Sequence, residues 1–507
     1  MSMFDPFFAW VDRWILRIDQ QRSALFLFAA LAGLLLLQMW PAAWIGNEEN
    51  YFQLAYRTFA PEKFFQFSAV FDMSRARAIP LYLLGSVVHL LGYDGAHSVT
   101  RILVAILYAA GLAYFFSALR LSVWDALVII AVFELADENL IGGEWLFQGV
   151  ESKVVAYALM FFSFGLALRQ RWTAATVLGV AATYMHFLVG GFWTLMLLVQ
   201  QWMETKDRRA VLRCLAVYAI LTLPLVVVIA LDELGGVTAA ASRLADQIYA
   251  QRNLWHVAPF ASRHDFWEWT PGIANTLGLL LVLGAVSWRF RAGSRPTAIV
   301  TRTAFFGLAY LVLVLAAAFV DHHTQFLAKF FLFRPSTLTL LLALTALTAL
   351  LSERLRDDAA VLKVGVALAL VASFSWRTMK AQVDRSRAEH WVPEQDALVA
   401  AIVSQTAPGD VVLLEPGYED PDHLRLHRLI PRPTLVSEKF VPSSPADILR
   451  WHSYVEIRKL LFTKGCVAQI QVPVRWLVTF KRESVARLAN CGPPVWQKGD
   501  VALIARR

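Results

Sequence analysis

Two adjacent carboxylates, Glu48 and Glu49, lie in the segment WIGNEENY, which directly follows an apolar run over residues 24–44. A carboxylate placed where a membrane helix leaves the bilayer can act as a general base in a water-filled cleft. A second carboxylate beside it, in a partly desolvated position, makes it the better proton acceptor. The alternative is a solvated acidic loop, with Glu49 paired to Arg57 or Lys63. Glu48 is slightly favoured as the base because it follows the helix end sooner.

A second acidic group follows in the stretch ADENLIGGEWLFQGVESK. Carboxylates at such a place can orient a substrate hydroxyl. They can also bind a divalent cation such as Mg²⁺ or Mn²⁺ together with a substrate phosphate. For Glu151 the alternative is a pair with Lys153 or a cap on its helix, since acids favour helix starts. The candidates in this stretch are Asp137, Glu138, Glu144 and Glu151.

Basic side chains in the segments between apolar runs are candidates for binding phosphate. Arg334, in FLFRPS, is the first choice because Arg can bind phosphate through two parallel hydrogen bonds. Its alternative is interfacial snorkelling. His186, in YMHFLVGG, lies between two short apolar runs and lines a cavity with Tyr51 or is a satisfied buried histidine. The second-rank basic candidates, each alone more often an interfacial or loop residue, are Arg252, His256, His322, His323 and Lys329.

The composition of the chain is that of a polytopic membrane protein, whose helices must position these residues. Of 507 residues, 57% are hydrophobic and 17% are charged, against about 25% charged in soluble domains. The net charge of +8 fits basic cytoplasmic loops. No basic-aromatic tract typical of nucleic-acid binding occurs, so no nucleic-acid partner is expected. Apolar runs predict about eleven transmembrane helices, at 24–44, 99–119, 121–136, 151–168, 172–185, 187–203, 210–232, 273–288, 300–320, 335–352 and 360–378.

The distribution of Lys and Arg predicts the topology of these spans. The run 78–91 is short and suits an interfacial or re-entrant helix. If this run is not counted as a transmembrane span, the basic residues fall in alternate loops. The positive-inside rule then places the N-terminus in the cytoplasm and the C-terminal part outside. Residues 1–23 then form an amphipathic lead on the cytoplasmic interface. With this topology the candidate residues converge on one face, starting with the first outer loop, 45–98, and such costly residues usually mark a functional path.

From about residue 380 the composition becomes that of a soluble domain. Helical patterns at 394–405 and 446–461 alternate with strand patterns at 410–414, 434–436, 475–480 and 501–505. We therefore expect a transmembrane domain over 1–379 and a small α/β domain over 380–507. Cys466 and Cys491 could form a disulfide if this domain faces an oxidising compartment. Cys214 falls in an apolar run and is expected to be a packed thiol.

The sequence resembles the GT-C superfamily of integral-membrane glycosyltransferases. These proteins carry an acidic residue just after the first membrane helix, here in IGNEENYFQLAYRTFAP, and further acids in the second outer loop. LYLLGSVVHLLGYDGAHSVTR is similar to the end of their first loop, and YMHFLVGG, QRNLWHVAP and FLFRPS are further matches. The resemblance covers the whole chain in architecture but only short stretches in residues. Many relatives have Asp where this chain has Glu48 and Glu49, which leaves open which of the two is the base.

The resemblance implies a transferase that takes a sugar from a polyprenyl-phosphate carrier to a lipid, glycan or protein acceptor. The reaction would take place on the outer face of a bacterial-type inner membrane. Glu48 or Glu49 would deprotonate the acceptor, the second acidic group would orient it or bind a divalent cation, and Arg334 would lead the residues that bind the carrier phosphate. A divalent metal is required by some relatives and not by others.

Two functions of other classes stay open. A transporter or flippase for a lipid-linked glycan needs polar residues through the bilayer and usually an internal repeat. Here the polar residues cluster on one side and no repeat is visible. A non-catalytic membrane scaffold would use the outer α/β domain to bind a partner. Alanine substitution of Glu48 and Glu49 distinguishes the three functions. Loss of transfer with normal folding favours the enzyme, and no loss of activity favours a scaffold. A transport defect with intact transfer favours the flippase.

Overall fold

The computed structural model describes residues 24–41, 43–60, 75–234, 237–354, 360–389, 395–416, 421–438, 441–442, 444–466 and 474–506. The predicted lead 1–23 lies outside these residues, and so does the part of the first outer loop over 61–74, including Lys63. The chain divides into two compact units, each built from three stretches of sequence. The first unit comprises Met1–Trp40, Val99–Val226 and Asn253–Ala381, and the second comprises Pro41–Ser98, Val227–Arg252 and Gln382–Arg507.

Most of the described chain is helical, and each apolar run predicted to span the membrane contains a helix. Their central residues are predominantly apolar, which suits a lipid or protein interior where the backbone must satisfy its own hydrogen bonds. In the described part of the chain up to residue 389, the α-helices are α1 (Ala24–Gln38), α2 (Gly46–Arg57), α3 (Ala78–Ala118), α4 (Val123–Leu135), α5 (Ser152–Leu168), α6 (Trp172–Met185), α7 (Phe187–Thr205), α8 (Arg208–Leu234), α9 (Ala239–Arg252), α10 (Leu254–Val257), α11 (Arg263–Arg289), α12 (Arg295–Val320), α13 (Ser336–Ser352) and α14 (Ala360–Glu389).

Within the described residues, four helices are long and apolar enough to cross a membrane: α3, α8 over Arg208–Asp232, α11 and α12. Large apolar side chains on these helices are exposed, among them Leu281 on α11 and Leu313 on α12. Exposed apolar surface of this extent is expected where lipid covers a helix. These helices therefore support the membrane-protein class that the composition predicts.

Helix α3 consists of two helical segments joined at Gly92, whose φ of 70° lies in the left-handed region. The predicted short helix 78–91 ends directly before this glycine. The sequence placed a loop between that helix and the next span at 99–119. The structure instead resumes the helix at once, because the left-handed residue changes the helix direction without intervening loop residues.

Within the first unit, α5 packs on α6, α6 packs on α7, and α12 packs on α13. Gly190 on α7 makes the second of these contacts possible. A Cβ atom at Gly190 would lie 2.1 Å from the backbone nitrogen of Thr183 on α6. Small residues at such crossings let the backbones of two membrane helices approach closely. The short α6–α7 hairpin is therefore tightly packed, and His186 lies at its turn.

The second unit contains a four-stranded sheet. Its elements in the C-terminal part are α15 (Gln395–Gln405), β1 (Val411–Leu414), α16 (Pro421–Leu429), α17 (Pro445–Lys464), β2 (Val474–Thr479), α18 (Arg482–Arg487), β3 (Pro494–Lys498) and β4 (Val501–Ala505). The strand order is β1-β2-β4-β3, with β1 parallel to β2 and the other pairs antiparallel. The predicted strand at 434–436 is reduced to a single bridge between Thr434 and Val412. The small α/β architecture predicted for this part of the chain is confirmed.

Helices cover both faces of this sheet because alternate strand residues point to opposite sides. Val412 of β1 packs in a cluster with Leu398 of α15, whereas Leu413 packs in a cluster with Trp451 of α17. The second cluster also includes residues far upstream in sequence, such as Ile248 of α9. The sequence treated α2 and α9 as parts of outer loops, but both contribute buried side chains to the core of this unit.

Cys466 and Cys491 form a disulfide with a Cα–Cα distance of 4.9 Å, within the range of unstrained disulfides. The bond joins the end of α17 to the segment after α18. Cys214 is a free, buried thiol on α8, as the sequence predicts.

Candidate functional site

A partly buried group of polar and charged residues in the first unit, here called the Arg334 cluster, consists of Glu144, Glu151, Lys153, His186, His256 and Arg334. Glu144 lies at its centre. One carboxylate oxygen lies 3.3 Å from Arg334 Nη2, and the other accepts a hydrogen bond from Lys153 Nζ at 3.1 Å. Glu151 lies 3.6 Å from the same ammonium group. Burying these charges is tolerable because each carboxylate has a cationic partner.

The loop between α4 and α5 positions Glu144 through Glu138. The Glu138 carboxylate accepts hydrogen bonds from the backbone amides of Leu146 and, at 2.8 Å, Phe147. Gly142 has a φ of 84°, and a Cβ atom there would lie 2.9 Å from Phe333 Cβ. Glycine is needed at this position both for the left-handed backbone and for the close approach. Glu138 therefore closes the loop, which differs from the acceptor-orienting role predicted for it.

The first turn of α13 fastens Arg334 to the same loop. Thr337 Oγ1 donates to the Glu138 carbonyl at 2.5 Å, and Ser336 Oγ donates to the Ile141 carbonyl at 2.6 Å. On the other side, Tyr157 Oη donates to the Arg334 carbonyl at 3.3 Å. Two hydroxyls next to Arg334 in sequence thus fix its backbone against the second acidic stretch.

The charges of the cluster decide the protonation of Glu144. Burial raises the pKa of Glu144, but the positive charges of Arg334 and Lys153 outweigh it and lower the pKa to about 2. Glu144 is therefore ionised at neutral pH. The cluster then contains two carboxylates and two fixed cations, so that Arg334 and Lys153 are balanced before any ligand binds.

His256 is neutral in this environment. Its Nδ1 lies 2.5 Å from the Gly142 carbonyl oxygen, so Nδ1 carries the proton and Nε2 has the lone pair. Burial lowers the pKa of His256 to about 4, and Arg334 and Lys153 lower it further against the opposing effect of Glu144. His256 was predicted to bind phosphate. As placed, it supplies no positive charge, and its Nε2 can accept a hydrogen bond.

His186 and Arg334 lie side by side in the cluster. Arg334 Nη1 is 3.1 Å from His186 Nε2. A guanidinium can only donate, so His186 Nε2 accepts this hydrogen bond from Arg334. The backbone amide of Val189 lies 3.3 Å from His186 Nδ1. His186 therefore helps to hold the guanidinium of Arg334 in place.

A mostly apolar pocket of the first unit adjoins the cluster along the chain. Val257, which follows His256, and Phe333, which precedes Arg334, both line it. Residues of α12 such as Val314 add apolar surface, and His322 and Asp321 are among its polar members. His322, predicted to bind phosphate, is half-buried, and its Nδ1 lies 2.6 Å from the Phe319 carbonyl oxygen.

A second buried group, here called the Glu48 cluster, lies in the second unit and consists of Trp44, Glu48, Glu49, His97 and Arg428. The Glu48 side chain is fully buried. Its carboxylate accepts a hydrogen bond from the backbone amide of Ile45 at 3.0 Å and lies 3.3 Å from His97 Nε2. The His97 ring stacks on Trp44 with a centroid distance of 4.1 Å.

Glu49 has a different partner. Arg428, on α16, donates from Nε at 2.7 Å and from Nη2 at 3.3 Å to the two carboxylate oxygens. Its guanidinium carbon also lies 4.3 Å from the ring centroid of Trp44. The sequence suggested Arg57 or Lys63 as partners of Glu49. Arg428 was missed because it is distant in sequence and lies in a segment with an ordinary helical pattern.

The remaining candidates lie elsewhere. Arg252 is in the second unit and donates to the Glu438 carbonyl at 2.8 Å. Tyr51 is in the same unit and packs against its apolar core. Lys329 lies over the rings of Phe326 and Phe330. Asp137 is exposed and pairs with Arg377.

Lys153 and His97 are further members that the sequence did not single out as site residues. Lys153 was read only as a partner of Glu151, although its ammonium also lies 4.1 Å from the ring centroid of Trp145. His97 lies in the stretch that resembles the end of the first loop in GT-C enzymes. That resemblance was the sequence feature that could have identified His97 as a site residue.

The four acids proposed for a divalent cation do not form a ligand set. Glu144 and Glu151 contact Lys153, Glu138 accepts backbone amides, and Asp137 pairs with Arg377. Among the residues that the structure describes, no group of three or more His, Cys, Asp or Glu side chains is arranged to hold a metal ion. As placed, these acids do not fit the metal site that the resemblance allowed.

Comparison with protein-family models and with curated protein sequences identifies no relative of this chain. No protein-family model matches the chain, and no curated protein sequence matches it either.

Proposed function

We propose that this protein is a membrane glycosyltransferase that moves a sugar from a polyprenyl-phosphate carrier to an acceptor on the extracytoplasmic face. The observation that carries the proposal is the Arg334 guanidinium, which belongs to the Arg334 cluster and contacts His186 Nε2 at 3.1 Å. A phosphate oxygen would accept hydrogen bonds from this guanidinium, and its positive charge would stabilise the leaving phosphate.

Exposed apolar surface on the helices supports a lipid carrier. Large apolar side chains such as Leu281 and Leu313 are exposed, and the long apolar chain of a polyprenyl phosphate would lie against such surface in the bilayer. Phe333 and Val257, which are adjacent in sequence to Arg334 and His256, line a small, mostly apolar pocket.

In the proposed reaction a carboxylate acts as the general base and takes the proton from the acceptor hydroxyl. The acceptor oxygen then bonds to the anomeric carbon, and the carrier phosphate leaves with the electrons of the broken C–O bond. A positioned base contributes about 10²- to 10⁴-fold to such a step. The positive charge of Arg334 would stabilise the charge that develops on the leaving phosphate.

The proposed topology has eleven spans, with the N-terminus in the cytoplasm and the C-terminal part outside. Each predicted span contains a helix, and the loops assigned to the cytoplasm carry clusters of basic residues. The disulfide between Cys466 and Cys491 supports an oxidising location for the C-terminal part. A bacterial-type inner membrane fits this arrangement.

The test measures polyprenyl monophosphate binding and glycosyl transfer separately. Purified wild-type protein in lipid nanodiscs is titrated with polyprenyl monophosphate alone, beside Arg334→Gln and the control Arg475→Gln, whose exposed side chain lies near Asp410. Loss of charge-assisted hydrogen bonds worth about 1.5–3 kcal/mol predicts about 10- to 100-fold weaker binding for Arg334→Gln only. Equal affinity of all three proteins would remove the phosphate assignment.

Transfer is measured by mass spectrometry of envelope lipids and glycans from cells that lack the protein and are complemented with each variant. Glu48→Gln is expected to bind polyprenyl phosphate normally and to lose transfer. Normal transfer by both Glu48→Gln and Glu49→Gln would favour a scaffold. A flippase would be favoured if transfer is intact in these variants and the lipid-linked glycan accumulates on the inner leaflet of vesicles reconstituted with them.

A further inference from the structure

A group of exposed cations, here called the basic rim, lies at one end of the helices of the first unit. The end of α7 and the first turns of α8 carry one part of it. The end of α11 and the segment that leads to α12 carry the other part. The members of the basic rim, all exposed, are Lys206, Arg208, Arg209, Arg213, Arg289 and Arg291.

An ion pair between α7 and α12 joins the two parts of the basic rim. Glu204, near the end of α7, lies 2.6 Å from Arg295 Nε of α12 and also pairs with Arg302. Lys206 lies two residues after Glu204, and Arg291 lies four residues before Arg295. Because four residues span at most about 14 Å, the two parts form one continuous patch.

The acids beside the basic rim are bound to other groups. Asp207 caps α8 by accepting hydrogen bonds from two backbone amides, at 2.9 and 3.1 Å. Glu353 accepts from the Gly293 amide and from the Thr297 hydroxyl, both at 2.7 Å. Glu204 already has two arginine partners. Within the described residues, no carboxylate forms an ion pair with a member of the basic rim, so its positive charges are uncompensated.

Exposed apolar side chains lie directly beside these cations. Trp288, next to Arg289, is 85% exposed, and Leu212 on α8 is 61% exposed. The Arg208 guanidinium carbon lies 5.7 Å from the ring centroid of Trp202. Indole rings beside arginines are typical of the level at which lipid headgroups meet acyl chains. The exposed surface of α8 and α11 therefore changes from apolar to cationic near the same end of the unit.

We propose that the basic rim is a binding site for an anionic phospholipid. The lipid phosphate would accept hydrogen bonds from the guanidinium groups, and the acyl chains would lie against the exposed apolar side chains of α8 and α11. A soluble anion would contact only the cationic part of this surface, so a lipid fits it better. Clusters of Lys and Arg beside membrane helices bind anionic headgroups in this way. The site goes beyond the proposed function, because it needs no sugar donor.

The experiment measures the binding of phosphatidylglycerol to the purified full-length protein. Detergent-solubilised protein is titrated with phosphatidylglycerol, or with zwitterionic phosphatidylcholine, and bound lipid is counted by native mass spectrometry. One variant from each part of the basic rim is tested, Arg208→Gln/Arg209→Gln and Arg289→Gln/Arg291→Gln. The matched control, Lys481→Gln/Arg482→Gln, removes two adjacent exposed cations from the C-terminal part of the chain.

Wild type should bind phosphatidylglycerol at least about 10-fold more tightly than phosphatidylcholine, and added salt should weaken this preference. Each cation near an anionic surface contributes roughly fivefold to affinity, so each rim variant should bind phosphatidylglycerol about 20-fold more weakly. The control should bind like wild type. Unchanged affinity in both rim variants, or a wild-type protein without preference for phosphatidylglycerol, would overturn the inference.

Two further measurements keep the result unambiguous. The Tm in detergent without phosphatidylglycerol checks that each variant folds, and if one rim variant is unfolded the other decides. Inorganic phosphate is titrated separately, and a wild-type affinity for it equal to that for phosphatidylglycerol would overturn the lipid assignment in favour of a soluble anion. Since no measurement uses a sugar donor, failure of the proposed transferase would leave the outcome for the basic rim unchanged.

Discussion

His256 shows how a neighbouring backbone group sets the chemistry of one residue. The Gly142 carbonyl fixes the proton on Nδ1, and the two cations of the Arg334 cluster oppose a further proton. A neutral imidazole with an exposed lone pair suits a hydrogen bond from a sugar or acceptor hydroxyl. It does not suit electrostatic binding of phosphate, which leaves Arg334 and Lys153 as the cations of this group.

The low pKa of His256 predicts a pH dependence of folding stability. Between pH 6.5 and about 4 the unfolded chain binds a proton at this residue and the folded protein does not. Stability is therefore full above pH 6.5 and falls as the pH is lowered, by at most about 3 kcal/mol. Thermal unfolding of wild type and His256→Gln, measured from pH 7 to pH 5, checks this.

The titration of Glu144 does not change the folding stability between pH 7 and pH 5. Its pKa is lowered to about 2, so this carboxylate affects stability only below its ordinary pKa of 4.5. Burial raises the pKa of Glu138, which contributes in the opposite direction in wild type and variant alike. Relative to the Tm of His256→Gln, the Tm of wild type should therefore fall by a few degrees between pH 7 and pH 5. A variant with the same pH dependence as wild type would show that His256 is protonated in the folded protein.

At the scale of elements, the α6–α7 hairpin places His186 beside Arg334. Thr183 packs against Gly190, and Gly179 is in similar contact with Thr194. Two glycines at one helix crossing bring the helices close and hold their turn in place. His186 therefore depends on a packing feature several residues away from it.

Substitution of the two adjacent glycines of α7 tests this dependence. A Cβ atom at Gly190 would meet backbone atoms of α6 at 2.1 to 2.4 Å, whereas at Gly191 the nearest atom is Tyr218 Oη at 3.4 Å. Gly190→Ala is expected to destabilise by about 1–3 kcal/mol, as overpacking does. Gly191→Ala is the matched control, expected within about 1 kcal/mol of wild type, since helical alanine offsets the tighter contact.

The measurement is the thermal stability of both variants in the same detergent, together with the affinity for polyprenyl monophosphate. Gly190→Ala should show a lower Tm and weaker binding, because His186 moves relative to Arg334. Equal Tm values for the two alanine variants would mean that the helices separate without cost and that the close crossing is not required.

At the scale of the whole molecule, segments distant in sequence share one core. Helices α2 and α9 pack with the C-terminal sheet and α17, although apolar helices separate them in the chain. The Cys466–Cys491 disulfide lies in the same unit. If the bond forms in the cell, this unit matures in an oxidising compartment, as the proposed topology requires.

Thiol labelling in intact cells tests that topology. A membrane-impermeant maleimide should label Cys466 and Cys491 only after reduction, and Cys214 should stay unlabelled because it is buried. The Cys466→Ser/Cys491→Ser variant should lose the reduction-dependent label and about 3 kcal/mol of stability, from a sequence separation of 25 residues. Labelling only after cell lysis would place this part of the chain in the cytoplasm.

The sequence by itself determined the features that depend on local composition. Long apolar runs predicted the helices of the membrane class, and short apolar runs predicted β1, β2 and β4, because both patterns report on neighbouring residues. β3 was missed, since it is a short, largely exposed edge strand with Pro494. The acids Glu48, Glu49 and Glu144 were noticed because unusual charge next to apolar runs is also a local signal.

Only the tertiary structure decided which charges meet. Glu49 and Arg428 are 379 positions apart, and Glu144 and Arg334 pair across the first unit. No local pattern encodes such a pairing, because burial of one charge is tolerated only where the fold brings its counter-charge. The same applies to Glu138, whose use in closing a loop depends on left-handed residues, and to His256, whose tautomer depends on one carbonyl. The residue types were evident from the sequence, whereas their partners could be identified only in the folded structure.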